Sequence, residues 1–149
     1  MDMDTGREIL KLLKAQQDHY LALKQAVQKQ TTHIEAVDIG RLTAGTSEAR
    51  GLMRKIRDLE AALRPLRQSW STLSVDGPPS ERREIHTIIA SIRGHILEIQ
   101  EVKDRNTSLL SRSMEAVRKQ MAGLNSQSKA ARAYYRRPTQ PARFIDKSN

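Results

Sequence analysis

Four histidines, His19, His33, His86 and His95, are the side chains best suited to hold a metal or pass a proton near neutral pH. No two of them stand three or four residues apart, the spacings that put ligands on one helical face, so they form no metal pattern. The chain has no cysteine, which excludes disulfides and thiolate metal sites. Gly40-Arg41-Leu42-Thr43-Ala44-Gly45-Thr46-Ser47 comes near a phosphate-binding loop, but Thr46 occupies the place of the lysine and no apolar strand precedes it. No serine lies in a nucleophile-elbow sequence. Glu98 and Glu101 share a helix flank with Lys103 and Arg105, the arrangement of a solvated face. The reading is therefore of a non-enzyme without metal, cofactor or small-molecule substrate. Arg136-Arg137 beside Tyr134-Tyr135 offers nucleic-acid chemistry, with rings to stack on bases and guanidinium groups for phosphates. The rest of the chain shows no recognition motif, and its one basic concentration is Arg50, Arg54, Lys55 and Arg57, so nucleic acid stands as a third reading.

The element that must position anything else is the stretch Ser80 to Leu124. Its apolar residues, from Ile85, Ile88, Ile89 and Ile92 through Ile96, Ile99 and Val102 to Met114, Val117, Met121 and Leu124, advance in steps of three and four. Only an α-helix sets such steps on one side. Its 45 residues would run about 67 Å, and no proline interrupts them. Ser80 supplies a capping hydroxyl, and Glu81 and Glu84 place negative charge on the positive end of the dipole. Ile85, Ile89, Ile92, Ile96 and Ile99 make one seam with Ile88 and Val102 beside it, a stripe wide enough for two partner helices.

Two earlier helices supply those partners. From about residue 6 to 36, Ile9, Leu13, Tyr20, Leu23, Val27, Ile34 and Val37 follow a 3.5-residue period, with Gln16 and Gln30 in the two missing seam positions. Those glutamines either fix register or face water between helices. A turn follows around Val37 to Gly40, with Asp38 capping a second helix over 38–74; a start at Thr32, whose spacing to Glu35 is that of a capping box, is the rival. Pro65 must kink that helix by removing its bond to Ala61, and Val75-Asp76-Gly77-Pro78-Pro79 ends it. The fold class is all-α: an elongated antiparallel three-helix bundle or coiled coil over residues 1–124, with a disordered C-terminal tail.

With 149 residues, 3% aromatic content and a mean hydropathy of −0.63, the chain fits a helical protein with a narrow core. Of its net +9, the segment 125–149 carries +5, from Lys129, Arg132, Arg136, Arg137, Arg143 and Lys147 against Asp146. This basic tail has no sustained period and is read as mobile, yet it holds Tyr134, Tyr135, Phe144 and Ile145, aromatic and apolar residues that suit a segment ordered by a partner. The acidic start Met-Asp-Met-Asp leads into no apolar run of secretory or membrane length, so the cytoplasm is the expected location, without membrane insertion.

The second helix is eight or nine residues shorter than the third, so antiparallel packing would leave about 12 Å of the third uncovered at its C-terminal end. Val117, Met121 and Leu124 fall in that overhang. Either the first helix or a second copy covers them, giving a self-assembling coiled coil and a homodimer, or another protein docks there.

The run Glu101-Val102-Lys103-Asp104-Arg105-Asn106-Thr107-Ser108-Leu109-Leu110, the turn at an Asp between the first two helices, and a tail with Tyr134-Tyr135 and Arg143-Phe144-Ile145-Asp146 resemble the FlgN-type flagellar export chaperones. In that family the third helix similarly carries an Asn followed by leucines, here Asn106 with Leu109 and Leu110, and an apolar stretch matched by Met114, Val117 and Met121. The likeness covers nearly the whole length; three glycines early in the second helix and the high positive charge depart from it. The resemblance implies a cytoplasmic chaperone that binds hook-filament junction proteins and delivers them to the type III export gate. Asn106, Leu109, Leu110, Met114, Val117, Met121 and Leu124 would then hold the client, and Tyr134, Tyr135, Phe144 and Ile145 would meet client or gate.

Overall fold

The computed structural model describes residues 2–69, 71 and 78–136. Among them the chain is all-α: α1 spans Asp2–Glu35, α2 Ile39–Leu63 and α3 Pro79–Arg136, with a 3-10 turn, Arg64–Leu66, directly after α2. The chain divides into two compact units, Met1–Leu109, which holds the bundle of three helices, and Leu110–Asn149.

Within the first unit the polar cross-links give the directions. Lys14–Glu84, Gln17–Ser91, Lys24–Glu98 and Thr31–Asn106 ascend together in number, so α1 and α3 run parallel. Gln16–Glu60 and Gln30–Thr46 run in opposite order, so α2 is antiparallel to α1. Both glutamines of the α1 seam thus reach across to α2 at 3.4 Å, Gln16 buried and Gln30 half-buried. The ion pairs Lys14–Glu84 (2.8 Å), exposed, and Lys24–Glu98 (3.1 Å), half-buried on its lysine side, mark the alignment; the exposed one contributes little stability in high dielectric.

The core follows from the periods. Ile85, Ile92, Ile99 and Asn106, each seven residues from the next, are all buried, the signature of a helix lying along a partner at a shallow angle. One buried cluster joins Ile9, Leu10, Leu13 and Leu63 to Ile85, Ile88 and Ile92; a second joins Leu23, Val27, Ala49, Ile56 and Ile99. Tyr20 packs against both, and burial pushes its phenol above its ordinary value. Gly6 is buried, and the Glu81 carboxylate reaches over it: a Cβ there would lie 2.7 Å from Glu81 Oε2, so a larger residue would turn that flexible side chain aside.

The turns have local causes. Val37 takes a left-handed φ of 53°, and the Asp38 amide donates back to the His33 carbonyl at 2.9 Å, closing α1. Asp38 Oδ1 then accepts the Arg41 amide at 3.1 Å and caps α2, so the rival start at Thr32 is not used. Pro65 sits in the first turn of the 3-10 segment, where its missing donor breaks the α-helical ladder.

Four boundaries differ from those read in the sequence, the first being α1, which begins at Asp2 and not at residue 6. α2 does not run unbroken to 74: it stops at Leu63 and helix resumes only past the 3-10 turn, at residues 67–69. α3 begins at Pro79, whose fixed φ suits a first helical position, so Ser80 lies inside the helix rather than capping it. It also continues past Leu124 to Arg136, so residues 125–136 of the expected tail are helical. Trp70, the connection 72–77 and residues 137–149, with Phe144 and Ile145, lie outside the described residues.

Candidate docking surface

In the second unit, α3 carries Leu110, Met114, Val117, Met121 and Leu124 at successive steps of four, three, four and three. At 100° per residue these five lie within about 40° of one line along the helix. All are exposed, Val117 at 45% and Met121 at 66%. A water-facing helix ordinarily puts apolar residues where a core covers them; here an unbroken aliphatic and methionine stripe faces solvent. Methionine contributes a flexible, polarisable side chain that adapts to varied apolar partners.

Tyr135 returns to the same line, whereas Tyr134 lies about 100° around the helix from it. Both rings are exposed and meet edge to face, centroids 5.6 Å apart. The two are neighbours in sequence, but on the helix only Tyr135 shares the stripe. Arg118, Lys129 and Arg132 follow one edge of the stripe, while Ser113, Gln120 and Gln127 follow the other. Arg118 pairs with Glu115 at 3.2 Å, the one acidic residue between Leu110 and Arg136.

Asn106 and Leu109 belong elsewhere. Asn106, expected at the head of the client surface, is 7% exposed in the first unit: its amide donates to the Val27 carbonyl at 2.9 Å and its carbonyl oxygen accepts from the Thr31 hydroxyl. It fixes α3 against α1 rather than offering a contact to a partner, because each of these groups is already bonded within the bundle. Leu109 is half-buried at the end of the same unit.

The remaining chemistry-bearing residues do not assemble. Residues 40–47, which resemble a phosphate loop in sequence, are turns of α2, and the Thr43 and Thr46 hydroxyls bond back to the Ile39 and Leu42 carbonyls at 2.8 and 2.9 Å. From Leu42 onward their amides enter the helix ladder, and the Arg41 amide is taken by Asp38 Oδ1, so the segment forms no phosphate-cradling loop. Among the described residues no three His, Asp or Glu side chains gather as a metal site, and no helix is long and apolar enough to cross a membrane.

No curated protein and no solved structure matches the chain. A family model described as FlgN protein matches residues 1–142, which takes in the three helices and the exposed stripe alike. With the match covering nearly the whole chain, the protein belongs to the FlgN family of flagellar export chaperones.

Proposed function

We propose that this chain captures hook-filament junction proteins in the cytoplasm through Leu110, Met114, Val117, Met121 and Leu124, and delivers them to the type III export gate. The observation that carries the reading is the exposure of five apolar side chains at helical spacing on one line of α3. A client helix laying its own apolar face along this line would be kept from self-association until secretion. Asn106 and Leu109, which lie in the bundle, are left out of that surface, and Asn106 holds α3 in place there. Tyr134 and Tyr135 follow the stripe on the same helix and provide a contact for client or gate.

The test is calorimetry of the full chain with a hook-filament junction protein, comparing the native sequence with Val117→Glu/Met121→Glu. Two carboxylates forced against an apolar client face should weaken binding by about 50-fold, near 2.3 kcal/mol, while helicity stays unchanged because both positions face solvent in the free chain. Unchanged affinity would overturn the assignment.

A second reading, self-assembly through the same stripe, is supported by its four-three spacing, which suits a coiled-coil seam. Light scattering separates the two: a tight dimer at low concentration marks assembly, and a monomer that gains one client marks the chaperone.

A further inference from the structure

The first unit contains an apolar trough that the docking stripe does not involve. α1 forms its floor through buried Ile9, Leu13, Leu23 and Val27, and α2 and α3 form its walls. It consists of two adjoining hollows of about 570 and 450 Å³ that share Tyr20 and Ile96. Ile89, Ile96 and Leu66 are only half-buried along it, and Met53 is exposed. The isoleucine stripe of α3 is wider than α1 can cover, and α2 does not close over the remainder.

The rim is one-sided in charge. Arg50, Arg67, Arg93 and Lys103 line the two hollows, against a single carboxylate, Glu60. Glu60 is already paired with Arg67 and accepts from Gln16. Among the described residues Arg50, Arg93 and Lys103 have no carboxylate partner.

We infer that this trough is a second docking site, which takes an amphipathic helix of another protein bearing carboxylates along the edges of its apolar stripe. From Ile85 to Lys103 the α3 wall measures about 27 Å, the length of an 18-residue helix, and a groove between two helices over a third is the place a fourth helix fills. A second copy of this chain is opposed by charge: its exposed α3 stripe is edged by Arg118, Lys129 and Arg132, which would meet Arg93 and Lys103. The chain's own segment 125–149, at +5, meets the same repulsion. A compact apolar molecule is a poorer fit, since such sites fix their ligand with convergent buried polar groups and the one here, Gln16, is committed to Glu60. The inference stands on the trough alone and does not depend on the client assignment of the stripe.

The probe is a pair of synthetic 18-residue helices with one leucine stripe, edged by glutamate in one and by lysine in the other. Each is titrated into the full chain with methyl-labelled isoleucine and methionine. The glutamate-edged helix should shift the Ile89, Ile96 and Met53 methyls and bind about tenfold more tightly than its lysine counterpart. Arg93→Glu/Lys103→Glu, two exposed positions whose exchange leaves the core intact, should remove that preference, and Val117→Glu/Met121→Glu should leave it unchanged. Equal binding of the two helices, shifts confined to residues 110–124, loss of binding in the Val117/Met121 variant, or a dimer in sedimentation that Arg93→Glu/Lys103→Glu strengthens would each overturn the inference.

Discussion

Replacing Asn106 by aspartate should destabilise the bundle by about 3 kcal/mol at neutral pH, although the two side chains are nearly the same size. In the native chain the Asn106 amide donates to the Val27 carbonyl and its oxygen accepts from the Thr31 hydroxyl, all at the buried seam between α1 and α3. A carboxylate there sets a negative charge against the Val27 carbonyl oxygen, with only Thr31 left to donate. Burial and the facing carbonyl both raise the folded-state pKa of the new aspartate above its unfolded value. The protonated acid can donate to Val27, so the lost stability returns below the ordinary aspartate range near pH 4 and disappears as pH rises through the raised folded value. Urea midpoints of the two chains at pH 4 and pH 7 check this: the gap should narrow on acidification, and a gap independent of pH would contradict the account.

Ile85→Ala should be comparably damaging for a reason that involves no charge. Ile85 is 1% exposed and packs among Ile9, Leu10, Leu13, Leu63, Ile88 and Ile92, so truncation removes buried methyl groups from a filled site. A loss of about 3 kcal/mol, or about 10 °C in thermal midpoint for a unit of this size, is expected. The same truncation at Met121, 66% exposed on the same helix, should change the midpoint by less than about 1 °C. The contrast is informative because both residues lie on one apolar pattern in the sequence. If both truncations destabilised the free chain, Met121 would be covered by something other than a partner.

That contrast also shows what a period can and cannot reveal. The seams of α1 and α3 were legible because Ile9, Leu13, Leu23 and Val27 on one, and Ile85, Ile92 and Ile99 on the other, repeat at the spacing of packed helices. The Asp38 cap was legible because it has a local backbone cause; Pro65 was legible only as a kink, whereas the α-helix stops before it at Leu63. Periodicity reports that a face is apolar, not how many neighbours cover it. Ile89 and Ile96 therefore read as core although they are half open to the trough, and Val117 read no differently from Ile99 until helix lengths were compared. Asn106 was misplaced because its partners, Val27 and Thr31, lie 79 and 75 residues away, and no local spacing announces a carbonyl at that distance. The continuation of α3 past Leu124 was missed because an exposed helix needs no buried stripe: Ala130, Ala131, Ala133, Lys129 and Arg132 sustain it by propensity alone.

The stripe is central to the chaperone reading, and amide hydrogen exchange of the full chain, alone and saturated with a hook-filament junction protein, tests it most directly. In the free chain, residues 110–124 should exchange quickly, since α3 there is held by backbone bonds open to water and not by tertiary packing. On client binding they should slow by at least about tenfold. A saturated complex in which residues 110–124 exchange as fast as before would contradict the account.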